Sequence, residues 1–319
     1  ALAVLAFTLP GLSVAVPAVH EGLRLGDWER EGSWSEVPLP LGAVLVLLPF
    51  TLRRQQKQLD ETFALLRGVS LERGYEDWQA RIIRRDRVVF LLIWLCIVAA
   101  TAVWDGVEGE LVAGRSRGGV MHIWLVAAFS AVILSVAYAM VYVCRSLSIM
   151  IDAFCCDVVD KLRLQDVAHL WNLTQAVLRQ ASNSVETCLL ALCVVLVSSV
   201  PMLLVEVGLL RERGALLASL PGVALTCGVL YVLLLAATIS EKCARVPGLI
   251  NAVSFGVGTD RIRQHTVDYI TSSAAGFYVF GMRLTTGMVL KFMYLWCIVA
   301  VGLLTELVST DSGGRLTAF

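Results

Sequence analysis

The chain has 319 residues, 57% of them hydrophobic and only 16% charged, and its 26 Lys and Arg balance its 26 Asp and Glu to a formal net charge of zero. With a mean hydropathy of +0.75, this excludes an ordinary soluble domain, in which about a quarter of residues are charged and under half are apolar. A balanced charge also leaves no basic stripe for nucleic acid, and the apolar excess is accommodated only where lipid can solvate the outside of the protein.

A helix needs about 20 mostly apolar residues to cross the hydrocarbon. On that criterion seven spans are expected, at 1–19, 37–52, 88–104, 119–145, 184–209, 215–240 and 284–308. The sequence opens on Ala1, and 1–18 reads as a span entered part-way along. A signal peptide would carry a basic leading region, and Pro10 interrupts the apolar run. The third span ends at Trp104, an aromatic of the kind that anchors at a membrane interface.

Orientation follows the placement of Lys and Arg. Basic residues flank the second span at Arg53, Arg54 and Lys57, and the third at Arg81, Arg84, Arg85 and Arg87. They recur after the fourth at Arg145, Lys161 and Arg163, and after the sixth at Lys242 and Arg245. The opposite loops hold Glu21, Asp27, Glu29, Glu31, Asp105, Glu108 and Glu110. The amino end is therefore expected inside and the carboxyl end outside. The inner segments, 53–87, 146–183 and 241–283, are long. Ile151, Phe154, Val158, Leu162, Val167, Leu170, Leu173 and Val177 recur at near-helical spacing. The fourth span is thus expected to continue as a helix into the cytosol, turn near Leu164-Gln-Asp-Val, and return into the fifth. Mixed charge on that segment favours a packed inner domain over a helix lying on the membrane surface.

All nine cysteines fall in spans or inner segments, so no disulfide framework is expected. His20, His122, His169 and His265 stand apart from other ligands at helical spacing, so no metal or cofactor is expected. No phosphate-binding, dinucleotide-binding or nucleophile-elbow motif is present, and no internal repeat of the transporter kind. An enzyme is not expected.

Four stretches between about 160 and 308 carry a resemblance to a known family. They are Val167-Ala-His-Leu-Trp-Asn-Leu-Thr-Gln-Ala-Val-Leu, Cys243 just past the sixth span, Gly276-Phe-Tyr-Val-Phe-Gly-Met-Arg-Leu-Thr-Thr-Gly287, and Met293-Tyr-Leu-Trp-Cys-Ile-Val-Ala-Val301. Together they resemble the insect chemoreceptor superfamily of gustatory and odorant receptors. That family ends its last span with Thr-Tyr, five hydrophobic residues and Gln-Phe. Here Tyr294 and five hydrophobic residues match, while Met293, Ala300 and Val301 stand in place of the Thr, Gln and Phe. These departures mark a divergent, gustatory-receptor-like member.

The resemblance implies an all-α, seven-span chain of the plasma membrane, acting as a homotetrameric or heteromeric ligand-gated cation channel. It implies spans one to four in 1–145, anchor helices in 146–183, spans five and six in 184–240, a second anchor segment in 241–283, and a pore-lining span with an outer tail in 284–319. The pore and gate would be lined by Leu290, Lys291, Tyr294, Cys297, Ala300, Val301 and Leu304. Such an apolar ring closes a pore by dewetting. Lys291 is expected to snorkel to the inner interface; turned to the lumen it would repel cations. A small organic ligand would sit in the outer half of the bundle near Trp124, Phe129, Ser135, Ser199, Met202, Thr226 and Tyr231, where aromatics pack it and hydroxyls orient it. The competing reading is a non-conducting membrane scaffold of the same fold. A transporter or lipid-handling enzyme would need an intramembrane acidic, histidine or broken-helix site, of which only Pro201 and Pro221 offer a hint.

Overall fold

The computed structural model describes residues 53–72, 74–111, 119–161, 164–209, 215–252, 260–295, 297–298, 301–302 and 305. The first two expected spans, 1–19 and 37–52, lie outside the described residues. The helices in chain order are α1 (Arg53–Glu72), α2 (Glu76–Leu111), α3 (Gly119–Lys161), α4 (Leu164–Leu209), α5 (Ala215–Ala252) and α6 (Asp260–Ser272), followed by α7, which opens with Thr286–Leu295. Between α6 and α7 two short strands, β1 (Tyr278–Val279) and β2 (Met282–Arg283), pair antiparallel.

Three stretches among the described residues are long and apolar enough to cross a membrane: Glu76–Val103, Val126–Val159 and Thr226–Ala252. The helices overrun the bilayer. At 1.5 Å per residue, the 43 residues of α3 and the 46 of α4 span roughly 65 and 70 Å, against about 30 Å of hydrocarbon. A continuous helix over 146–161, expected from apolar spacing, is present and ends at Lys161, whereas Leu164-Gln-Asp-Val, expected near the turn, already forms the start of α4. Asp166 in the first turn of α4 complements the positive end of that helix. α5 likewise runs past the expected end of its span, through Pro247, to Ala252.

α3 is the axis of the packing and touches α1, α2, α4 and α5. Ile133, Ala137, Met140, Cys144, Leu147, Ile151, Phe154 and Val158 are all buried at alternating steps of four and three residues. Val136, Val143 and Met150, off that row, are buried too. A helix covered on more than one side is an interior helix. α1 is a two-sided contrast: Leu59, Thr62, Leu66 and Val69 face the bundle while Lys57 and Glu61 form an exposed i,i+4 pair.

Polar groups tie the helices together at defined levels. Along the α2–α3 seam, Trp94 Nε1 donates to the Ala127 carbonyl at 3.0 Å and Gln79 Nε2 to Ser146 Oγ at 2.7 Å. Asp86 lies 3.6 Å from Arg145, whose other nitrogen donates to Tyr231 Oη at 2.7 Å, so α2, α3 and α5 share one ion-pair joint. Lys242 of α5 meets Asp152 of α3 at 2.5 Å. Hydroxyls with no partner on another helix turn back on their own: Thr101 donates to the Ile97 carbonyl, Ser130 to Val126 and Thr174 to Leu170. Such back-bonding hides a polar atom inside an apolar helix.

Phe154 and Trp171 close the α3–α4 end, both fully buried with ring centroids 5.2 Å apart. Truncating Phe154 to Ala removes both the ring contact and its filled volume. Denaturant unfolding in detergent micelles is expected to show a loss of about 3–5 kcal/mol, against under about 1 kcal/mol for Val159→Ala on the exposed side of the same turn.

Candidate functional site

The last helix leaves the bundle through the aromatic-glycine stretch that stood out in the sequence. α6 ends at Ser272, and Ala274 takes a left-handed φ of 45°, the conformation that commonly terminates a helix. Tyr278 then pairs with Arg283 and Val279 with Met282. The two residues between, Phe280 and Gly281, have φ of 50° and 75°. Positive φ at both central positions is the signature of the tight hairpin turn whose twist matches its strands. Gly281 adopts it freely; Phe280 does so at a cost of about 1–2 kcal/mol.

Side chains of α4 and α5 compensate for that cost by capturing the hairpin backbone. Ser182 Oγ donates to the Tyr278 carbonyl at 2.6 Å and accepts from the Tyr278 N–H at 2.7 Å. Ser240 Oγ accepts from the Phe277 N–H at 3.0 Å. The Glu186 carboxylate accepts from the Phe280 N–H at the turn itself. Arg283 Nη2 donates back to the Ser240 carbonyl at 2.7 Å, and Phe277 is fully buried beneath. Gly276 is small for a reason: a Cβ there would stand 2.7 Å from Arg283 Nε and 3.1 Å from Ser240 Oγ. Trp171 and Gln175 of α4 secure the preceding turn through Ser273.

α7 then starts at an N-cap, Thr285, whose hydroxyl accepts from the Met288 N–H at 3.3 Å. One side of α7 packs on the bundle, with Val289 2% exposed and Phe292 and Met293 half-buried. Leu290, Tyr294, Cys297 and Val301 are exposed, Tyr294 by 70%. Their steps of four, three and four put them on one stripe. Lys291 is exposed as well, about 100° around the helix from Leu290. Ala300 and Leu304 of the expected stripe lie outside the described residues.

The expected ligand residues do not converge in the same way. Phe129 is buried in α3, while Trp124 on the same helix is 70% exposed. Ser135 is half-buried and donates to its own Ala131 carbonyl at 2.6 Å. Thr226 is half-buried on α5. Tyr231 stands at the level of its partner Arg145, sixteen residues and so roughly 24 Å along α3 from Phe129. The side chains of Ser199 and Met202 lie outside the described residues.

Ser182, Glu186 and Ser240 were not singled out by sequence reading. Each is a common polar residue among other polar residues, Ser182 and Glu186 within the run from Arg179 to Thr187 and Ser240 beside Glu241 and Lys242, and only the fold brings the hairpin to them. Two substitutions test the joint by hydrogen exchange. Ser182→Ala removes two hydrogen bonds to one residue and is expected to speed exchange across 277–284 roughly tenfold, about 1–2 kcal/mol, leaving α2 unchanged. Gly276→Ala is expected to do the same by displacing Arg283 from Ser240.

No protein-family model matches the chain, and no curated protein matches it by sequence. The fold does match solved structures. The olfactory receptor OR5 of Machilis hrabei superposes with a TM-score of 0.60 at 13% identity, over 96% of this chain and 87% of that one. The same receptor in complex with eugenol gives 0.59 at 12% identity, over 96% and 88%. The likeness covers 96% of the chain and agrees with the resemblance carried by the sequence motifs. This membrane protein has the fold of an insect olfactory receptor.

Proposed function

We propose that the chain is a subunit of a tetrameric ligand-gated cation channel of the plasma membrane, opened by a small organic molecule. The observation that carries this reading is the asymmetry of α7. In a bundle whose other helices bury Trp171, Phe154 and Phe277 completely, α7 holds an apolar stripe of Leu290, Tyr294, Cys297 and Val301 away from its own chain. Four such stripes around an axis, continued by Ala300 and Leu304, make a constriction that dewetting closes. The shared fold with an olfactory receptor supports the same reading. The amino end lies inside and the carboxyl end outside. The parts of α3 and α4 that overrun the bilayer, with α6, form the cytosolic anchor between subunits.

The ligand pocket lies in the outer half of the bundle, where Trp124, Phe129, Ser135, Ser199, Met202 and Thr226 supply aromatic surface and hydroxyls. Tyr231 belongs instead to the Arg145 joint. Eugenol, which the Machilis receptor binds, is a natural first compound to apply.

A second reading, a non-conducting scaffold of the same fold, is favoured by one feature. Lys291 is exposed on α7, and four ammonium groups at a pore mouth would repel cations. In the channel it snorkels to the inner interface.

Recording from proteoliposomes separates the two. Cys96, Cys156, Cys227 and Cys297 are the exposed cysteines among the described residues. In a background where the first three are serine, a water-soluble thiol reagent is expected to block most of the ligand-evoked current, and Cys297→Ser is expected to abolish that block. Correctly assembled tetramers that pass no current, with Lys291→Gln equally silent, would establish the scaffold.

A further inference from the structure

α2 turns one side to the bundle, where Gln79, Asp86, Ile97 and Thr101 are buried. Its opposite side is open, and the chemistry of that side changes once. From Val88 onward it presents Val88, Leu91, Leu95 and Val103, each about half exposed. Before Val88 the same side presents Arg81, Arg84 and Arg85, all exposed. Steps of three, four, seven and eight residues keep both sets on one side of the helix. Trp78, 43% exposed, stands one turn before Arg81 at the edge of that stripe.

The apolar part tells what covers it. Glu76–Val103 is the least buried of the three membrane-length stretches, so hydrocarbon solvates its open side. The headgroup layer then meets α2 at the step from Arg85 to Val88. Guanidinium groups at that level face phosphodiesters, which they bind through paired N–H donors. A tryptophan at the edge of the stripe suits the same layer.

The local carboxylates leave this charge largely available. Arg85 Nε is 3.8 Å from Asp86, but Asp86 also lies 3.6 Å from Arg145. Arg81 Nε donates to the backbone carbonyl of Asp77 at 3.4 Å, and the Asp77 carboxylate stands one turn before Arg81 on the open side. Among the described residues no carboxylate is within ion-pair distance of Arg81 or Arg84.

We propose that Arg81, Arg84 and Arg85, with Trp78 at their edge, form a binding site for the headgroup of an anionic phospholipid. The lipid's acyl chains run along Val88, Leu91 and Leu95, and its net negative charge distinguishes it from a zwitterionic lipid. Because the same helix carries Asp86 into the joint with Arg145 and Tyr231, the bound lipid steadies the α2–α3–α5 contact. This proposal rests on the chain's crossing a membrane and is independent of conduction.

The full chain, purified in detergent, is titrated with phosphatidylglycerol, phosphatidylcholine and inorganic phosphate, and bound lipid is counted by native mass spectrometry. Wild type is expected to retain phosphatidylglycerol over phosphatidylcholine. The variant Arg81→Gln/Arg84→Gln/Arg85→Gln is expected to lose about a hundredfold, since each arginine near an anionic surface contributes roughly fivefold. Arg84→Gln alone, which leaves every recorded ion pair intact, is expected to lose a fewfold and carries the test if the triple variant does not elute as wild type. Removing equal charge at the exposed Arg179, Arg245 and Arg261 is expected to leave retention unchanged. The proposal is overturned by equal loss in both triple variants, by no loss in either α2 variant, or by the absence of lipid preference. Displacement of the lipid by millimolar phosphate would overturn it too, as would a changed oligomeric state with bound lipid unaltered, because a second copy would then cover this side.

Discussion

Hydrocarbon offers backbone and hydroxyl groups no hydrogen-bond partner, and the structure follows from that constraint. Helices satisfy their own backbone, so the described chain is helical almost throughout. Serine and threonine hydroxyls either bond back to their own helix, as at Ser130 and Thr101, or reach a specific neighbour, as at Ser146. Where the chain departs from helix, at 277–284, its backbone groups are received by Ser182, Glu186 and Ser240. The departure is tolerated because those side chains are already in place on α4 and α5.

That joint determines how α7 relates to everything before it. The chain enters from α6, reverses at Phe280-Gly281, and restarts as a helix capped by Thr285. The hairpin is short, and each of its two strands has only two residues, so its own pairing stabilises it little. Its geometry comes from α4 and α5. A displacement of either helix would therefore be passed to the root of α7 through hydrogen bonds of 2.6–3.0 Å.

Charge is arranged by the same constraint. Asp86 is nearly buried and meets the partly exposed Arg145, which also reaches the exposed Tyr231, at the end where α2 is still polar, while Arg81, Arg84 and Arg85 are exposed. One helix thus sends its acid inward, to a partner that neutralises it, and its bases outward. Removing Arg145 would leave the nearly buried Asp86 carboxylate with only the exposed Arg85 beside it, the more destabilising outcome for a desolvated charge.

Much of this was legible in order of residues alone. An apolar excess too large for one core required lipid, and apolar spacing from Ile151 through Val158 required helix beyond the expected end of a span; α3 runs to Lys161. The four motif stretches between about 160 and 308 pointed together to the fold later matched by an olfactory receptor. Both are properties of neighbours in the chain, which periodicity records. The hairpin at 278–283, the capture of its backbone by residues 37 to 96 positions earlier, and the separation of Tyr231 from Phe129 were not legible. Such contacts depend on which helices become neighbours and in what register. A serine in a helix looks the same whether it bonds to its own turn or holds another segment; only tertiary packing decides which.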